Sequence, residues 1–323
     1  MADIARETGL TLGTVSRALN NSVKYPIAAE TRERVLEAAT RLGYRPNQLG
    51  KALAEGKSML IMLLTPNPFA PYYSELNRHL SLLAVNLGYS LLIPSITPEQ
   101  SPPSTQSIDW LYGVDAIIVC DLIPAWEGYM NEAARLKIPM VGMGALRPTL
   151  PIDFVWIDLY KASRDVFAHL VEVGCKSIAF LGTPLRDNRR VAYLDAVEAF
   201  GLEPRIIEMG VQSRSTAREA AAIAYRERPF DGLICENDIV ATGALLGLAD
   251  AGAKVPQDVR LAGCDGLEES QFQLVPITTL VQPLEQCCQS AWNLLQDLMN
   301  GAKHAPQFVK HEATLEVRTS TSG

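Results

Sequence analysis

The sequence predicts a small all-α head joined to an α/β body of two doubly wound parallel-sheet subdomains. Three observations carry this. From Ser58 nearly to the carboxyl end, short apolar runs bounded by Pro, Gly or charge alternate with helical stretches. The alternation falls into two successive runs, with the Pro-rich stretch "GALRPTLPID" (144–153) between them. Charge is also divided unevenly: residues 1–57 hold nine Lys and Arg against six acids, net +3, while the remainder holds 20 basic against 30 acidic groups, net −10. Alternating β and α implies parallel sheets with helices on both faces. A basic head on an acidic body fits a small polyanion-binding module attached to something else. The 323 residues, 48% of them hydrophobic, suffice for two or three folded domains.

In the head, residues 3–8 and 12–20 read as two short helices broken by Gly9, with Thr11 as the N-cap of the second. Val15, Ala18 and Leu19 share one face, and Gly13, Ser16, Arg17 and Asn20 form the opposite, unbulky stripe. A third helix in "TRERVLEAATRLGY" turns Val35, Ala38, Ala39 and Leu42 inward. On its exposed face Glu30–Arg34 and Glu37–Arg41 stand at i, i+4. A second helix so bare on its outer side suits helix-turn-helix geometry. Gly13 permits close approach to a duplex, Thr14 and Ser16 can donate to phosphates, and Arg17 can read guanine with two parallel hydrogen bonds. Leu12 stays open between the core and a thymine methyl group, and a plain three-helix bundle stays the alternative for the whole head.

Beyond Pro46, residues 47–54 offer one short helix capped by Asn47. It is too short to stand alone in water, and Gly50 weakens it further. The segment is either a linker or a hinge that orders on DNA and inserts Leu53 between base pairs in the minor groove. The expected divisions are 1–46 for the head, 47–57 for hinge and linker, and 58–323 for the body.

In the body, "SMLIMLLTP", "YSLLIP", "DAIIVC" and "IPMVGM" supply the strands of the first subdomain. "FVWI", "SIAFLG", "DGLICEND" and "VRLAGCD" supply those of the second. "TTLVQP" and "HEATLEVRTS" read as strands supplementing each lobe, with further crossings near 280–283 and 303–306. The first subdomain is then about 58–150 plus 282–304, and the second about 151–281 plus 305–320.

Such sheets bind ligands outside the carboxyl ends of their strands. Phe69, Tyr72 and Tyr73 follow the first strand, Arg189 opens the helix after "SIAFLG", Asn237 follows "GLICE" and Asp265 follows "VRLAGC". Donors, a mixed donor–acceptor and a pure acceptor suit a polyhydroxylated small molecule with an aromatic wall. No glycine-rich anion cradle favours a phosphorylated ligand. "GMGALR" gives only part of a dinucleotide fingerprint, and no phosphate loop, H-E-x-x-H or G-x-S-x-G occurs. His79, His169, His304 and His311 are scattered, so neither an enzyme nor a cofactor is expected. The six cysteines lack metal-ligand spacing and read as reduced, buried thiols, so no metal is expected. No window reaches the eighteen or so apolar residues of a membrane span. Residues 1–7 alternate charge where an export leader needs an apolar core. A cytoplasmic protein is expected.

The segments "DIARETGLTLGTVSRALN", "ETRERVLEAATRLGYRPN" and "ALAEGKS" resemble the DNA-binding headpiece of the LacI/GalR transcriptional regulators, and the resemblance extends over nearly the whole chain. It implies a recognition helix at 12–20 with Leu12, Gly13 and Arg17 facing bases, and Leu53 as the hinge leucine. It also implies a body of the periplasmic-binding-protein type. There, Arg189 in "RRVAY" matches the family's R-x-x-G-[FYW] with Ala192 for Gly, Asn237 in "CENDIVATGAL" matches its effector-contacting Asn, and Asp265 in "LAGCDGLEES" matches its Asp. "NPFAPYY" resembles the family's N-P-F-F, but Pro71 is inserted, which leaves the register of Tyr72 and Tyr73 open.

Other departures stand out. Gly13 replaces a side-chain-bearing residue, so one base pair would be read loosely or by shape. Met1-Ala2 precede Asp3 where the family has more residues and a capping Thr, and Ala28 replaces a capping Ser. A chain begun at an internal methionine, or a marginal head, is expected from this. Residues 94–110 depart most and would reshape the mouth of the pocket. The function so implied is a ligand-responsive repressor on a pseudo-palindromic operator, with a sugar or related polyol as effector. It would act as a homodimer, since no heptad repeat marks the carboxyl end for a tetramer. The alternative is a solute-binding protein of the same fold without DNA-binding function.

Overall fold

The computed structural model describes residues 1–19, 26–44, 56–94, 109–146, 151–184 and 187–322. The chain forms two compact units, Met1–Ser58 and Met59–Gly323. The first unit holds helices α1 (Ala2–Thr8), α2 (Leu12–Leu19) and α3 (Ala29–Arg41). Their shared core is small: Ile4 from α1, Val15 and Ala18 from α2, and Val35, Ala38 and Ala39 from α3. Neither α1 nor α3 has a side-chain cap at its start, where Met1 and Ala28 stand. Thr11 does cap α2, accepting the Thr14 N–H on its hydroxyl at 3.2 Å.

Two expectations for α3 change. The helix stops at Arg41, so Leu42 leaves the helical period and is exposed rather than turned inward. Arg34 and Arg41 also reach across to α1 rather than back along α3. Arg34 Nη2 donates to the Thr8 carbonyl at 3.0 Å and Arg41 Nε donates to Glu7 Oε1 at 2.8 Å. The last carbonyls of a helix have no partner within it, and the long guanidinium stems of α3 are near enough to fill one.

Among the described residues the second unit forms two six-stranded sheets. The first has the order β11-β5-β4-β3-β1-β2, made of β1 (Leu60–Leu64), β2 (Ser90–Leu92), β3 (Ala116–Cys120), β4 (Met140–Gly144), β5 (Asp153–Asp158) and β11 (Phe308–Glu312). All its pairings are parallel. Helices α4 (Pro71–Asn86), α5 (Glu127–Leu136) and α11 (Leu284–Met299) belong to this lobe. The second sheet has the order β12-β10-β9-β8-β6-β7, from β6 (Ile178–Gly182), β7 (Ile206–Glu208), β8 (Gly232–Cys235), β9 (Arg260–Asp265), β10 (Thr278–Val281) and β12 (Thr314–Glu316). Only β12 runs antiparallel to its neighbour. This lobe carries α6 (Tyr160–Glu172), α7 (Asn188–Phe200), α8 (Arg214–Glu227), α9 (Asp238–Asp250) and the short α10 (Glu268–Gln271).

The lobe boundaries differ from the sequence reading. The strand containing "FVWI" was expected to open the second lobe, but β5 pairs with β4 in the first sheet. The chain therefore crosses at Leu159, between β5 and α6, and not within 144–153. On its other side β5 pairs with β11 in register from Phe308↔Phe154 to Glu312↔Asp158. This puts 308–312 in the first lobe and the last crossing at Ala313, not at 303–306. The reason is burial: Phe154, Val155 and Ile157 are inaccessible, so β5 must be an inner strand with a neighbour on each side. Asp158 anchors the edge strand through Lys310 at 2.8 Å. The middle crossing is Gln282-Pro283, between β10 and α11. All six cysteines are unpaired and buried. Among the described residues no helix is long and apolar enough to cross a membrane.

Candidate functional site

In the first unit, α2 buries Val15 and Ala18 and packs Leu19 against the same core, leaving the opposite face outward. Thr11, Gly13 and Arg17 are exposed, with Thr14 and Ser16 half-buried. Leu12, which the pattern left open, is 54% exposed and lies outside the core cluster. It is therefore available to an apolar contact. Arg17 Nε lies back along its own helix on the Gly13 carbonyl at 3.1 Å. Thr11 and Thr14 share a hydroxyl–hydroxyl bond of 2.9 Å. The result is a helix face with a hydroxyl pair at its start, an apolar tip, no Cβ at Gly13, and a cation one turn on. Asn20, Asn47 and Leu53 lie outside the described residues, as does most of 94–110.

In the second unit, strand ends of both lobes converge on a cavity of about 240 Å³. Tyr72 and Tyr73, on the first turn of α4, line it from the first lobe, and Arg189, Asn237 and Asp265 line it from the second. Phe69 does not. Its N–H closes a turn on Asn67 Oδ1 at 3.1 Å and its ring is 81% exposed, which corrects the expectation that it forms part of the aromatic wall. Five polar lining residues were missed: Asp121, just after β3; Asp187, the cap of α7; Gln212, shortly before α8; Glu236, just after β8; and Gln282, on the middle crossing.

Each polar group is held by a short local reason. Asp187 caps α7 by accepting the N–H groups of Arg189 and Arg190 at 3.0 and 3.1 Å. It also accepts Arg189 Nε at 2.6 Å. Arg189 Nη1 donates to the Glu236 carbonyl at 2.6 Å. Asn237 caps α9, its Oδ1 accepting the Val240 N–H at 2.9 Å. This leaves its amide nitrogen without a partner among the described residues. Across the cavity Tyr73 donates to Asp121 Oδ2 at 2.7 Å, Tyr72 donates to Gln282 Oε1 at 3.1 Å, and Gln282 Nε2 donates to Asp265 Oδ1 at 2.9 Å. The two tyrosine rings meet edge to face at 5.1 Å.

The electrostatics are those of an enclosed acidic site. Burial pushes the Asp265 carboxyl well above the usual range, and the charges of Asp238 and Asp121 add to that rise. Burial also raises Asp121, although the Tyr73 hydroxyl and the Ala145 N–H oppose it. Tyr72 and Tyr73 are held well above ordinary phenols by burial, with the Asp121 charge next. Arg189 resists deprotonation: burial works against its charge, but Asp187 and Glu236 outweigh that. Both Asp121 and Asp265 have positive φ, 47° and 123°, uncommon outside glycine. Gly144 leaves room for Asp121, since a Cβ there would overlap the carboxylate. The arrangement offers acceptors and a few amide donors around the cavity. Among the described residues no cluster of His, Cys, Asp and Glu could hold a metal ion.

Comparison with known proteins gives a consistent picture. Residues 1–47 match the sequence profile of bacterial regulatory proteins, lacI family, and residues 167–321 match that of a periplasmic binding protein-like domain. The chain is 30% identical to the HTH-type transcriptional repressor CytR of Escherichia coli (strain K12), over 99% of this chain and 96% of that protein. It is 28% identical to catabolite control protein A of Priestia megaterium, over 99% and 98%. Among solved structures, the lac repressor dimer bound to operator and the anti-inducer ONPF superposes with a TM-score of 0.83 at 23% identity, covering 99% of this chain and 98% of that one. The cellobiose complex of the transcriptional regulator CelR gives 0.71 at 24% identity, with 98% of each chain covered.

Proposed function

The chain belongs to the lacI family of bacterial regulatory proteins, and on that premise we propose a transcriptional repressor that binds a pseudo-palindromic operator as a homodimer and is controlled by a polyhydroxylated small molecule held between its two α/β lobes. The observation that carries the ligand half is the cavity where Tyr72, Tyr73, Arg189, Asn237 and Asp265 meet. Helix α2 carries the DNA half. Thr11, Thr14 and Ser16 would serve phosphates, Arg17 would swing off the Gly13 carbonyl to a guanine edge, and Leu12 would meet a thymine methyl. Asn20 and Asn47 would add polar contacts, and Leu53 would wedge the minor groove at the operator centre.

Large apolar side chains left in solvent on both lobes, Leu82 and Val85 on α4 and Phe272 and Leu274 beyond α10, suit faces that a second copy covers. A sugar or sugar derivative is the effector class the donors and acceptors favour, as with the cellobiose held by the CelR neighbour. A chromosomal operator would put the protein in the cytoplasm.

The test is a DNA-binding titration of the full chain on genomic fragments at two salt concentrations, with and without a panel of sugars. Salt-sensitive preference for particular fragments is expected, altered by at least one sugar. Asp265→Ala should remove the sugar response and leave sugar-free DNA binding. Sugar binding with no fragment preference at any salt would overturn the proposal in favour of a solute-binding protein.

A further inference from the structure

We infer that the effector is an amine-bearing polyol, such as an amino sugar, whose ammonium group sits between Asp121 of the first lobe and Asp265 of the second. This rests on the cavity being the effector site and narrows the ligand to one charge class.

Among the described residues lining the cavity, four carboxylates face one guanidinium. That guanidinium is already committed. Arg189 pairs with Asp187 and lies 3.8 Å from the Glu236 carboxylate, while Glu236 is further satisfied by the Thr183 N–H at 2.7 Å and hydroxyl at 3.0 Å. The Arg189 charge reaches Asp121 and Asp265 as well, but their hydrogen bonds come from neutral donors only. Asp121 takes the Tyr73 hydroxyl and, at 3.3 Å, the Ala145 N–H. Asp265 is more than nine-tenths buried. Its Oδ1 takes the Gln282 amide, and its Oδ2 accepts no hydrogen bond among the described residues.

A buried carboxylate without a counter-charge is costly, and a second one nearby makes it worse. The Asp121 charge helps to hold the proton affinity of Asp265 up, and that of Asp187 does the same for Asp121. A ligand cation would relieve both. Neutral hydroxyls would relieve them less, and a phosphate would add to the repulsion. Two further features fit a hydroxylated amine. The Tyr72 and Tyr73 rings line the same space, and aromatic rings attract ammonium groups. The unfilled Asn237 amide can donate to a hydroxyl. At about 240 Å³ the cavity falls below the ~300 Å³ at which drug-sized pockets begin, which suits one sugar ring rather than a chain.

Titration calorimetry at pH 7.5 on the full chain tests this with glucosamine, galactosamine and mannosamine, the parent hexoses, the N-acetyl derivatives that lack the charge, and the hexose 6-phosphates. At least one amine is expected to bind about tenfold or more tightly than its parent and its N-acetyl form. Asp121→Asn should erase that preference. In the ligand-free state Asp121→Asn should also unfold at a higher temperature than the wild type, because it deletes a buried charge that no cation bonds directly. This second readout needs no ligand. Equal or tighter binding of a neutral hexose or a phosphate would overturn the inference, as would an amine preference that survives Asp121→Asn or a ligand-free variant that melts lower. A neutral sugar that binds and changes DNA affinity would remove the amine but leave the cavity as the effector site. Binding that is indifferent to Asp265→Ala would remove the cavity itself.

Discussion

Asp238 allows a quantitative check on how the cleft is built. It is buried on the first turn of α9, accepting the Thr279 hydroxyl at 2.6 Å and the Leu267 N–H at 2.8 Å. It thereby pins the loop that carries Asp265. Burial pushes its pKa up to about 6 from an ordinary 3.8, against the pull of those hydrogen bonds. The folded state therefore holds this proton more tightly than the unfolded chain. The resulting stabilisation is fully present below the unfolded pKa and is lost as pH rises through the folded one. A rise of this size amounts to about 3 kcal/mol lost by pH 7.5, roughly half of it between pH 5 and 7.5.

Asp238→Asn abolishes the titration, while its Oδ1 can still accept from Leu267 and its amide can donate to Thr279. Urea unfolding followed by tryptophan fluorescence reports on the body alone, since Trp110, Trp126, Trp156 and Trp292 all lie there. Relative to wild type, the variant should gain about 1.5 kcal/mol between pH 5 and 7.5. A difference that stays constant across that range would refute the reasoning. It would mean that the hydrogen bonds, not the desolvated charge, decide what this residue contributes.

Arg17→Ala should weaken binding to the preferred operator by about 1–3 kcal/mol and relax one base preference; an equal loss on random DNA, measured by anisotropy, would reassign it to phosphate. Gly247→Ala should destabilise the body by about 1–3 kcal/mol, because a Cβ there would overlap the Arg218 carbonyl where α8 packs on α9; an unchanged urea midpoint would show that the two helices can part. Ser320 is fully buried, donating to the Leu261 carbonyl at 2.5 Å and accepting the Thr278 N–H at 2.8 Å. Ser320→Ala should cost about 1–3 kcal/mol by orphaning both groups, and a melting temperature within error of wild type would dismiss this clasp.

What the sequence disclosed and what it hid follow from one distinction. Periodicity and turn residues are local, and they were enough to mark most strands and the head helices. Pairing is not local. One partner of β5 is β11, far along the chain, the other is β4, and no pattern within 144–158 says on which sheet "FVWI" lies. Prolines marked a loop there, not a change of lobe. The strand-end rule found Arg189, Asn237 and Asp265 because each follows a strongly apolar run. Applied to every strand it would also have found Asp121, directly after "AIIVC", and Gln282, directly after "TTLV". Phe69 shows the opposite limit. Residue type in a loop does not fix direction, and the turn closed on Asn67 sends that ring to solvent. Leu42 failed for a related reason, since the inward period holds only while the helix does.

The cleft's hydrogen bonds suggest why a ligand there would matter to the rest of the molecule. Tyr72 belongs to the first lobe, Asp265 to the second, and Gln282 sits on the segment that joins them, bonded to both. A ligand that engages Asp265 must either displace the Gln282 amide or share the carboxylate with it. Either choice would change what holds one of the crossings, and occupancy and lobe geometry would then be linked. If operator binding prefers one lobe geometry, linkage requires that operator and effector alter each other's affinity by the same factor. Each tenfold change corresponds to about 1.4 kcal/mol of differential contact. One hydrogen bond to a charged group is worth that much, so the Gln282–Asp265 bond would be enough in energy for a tenfold coupling.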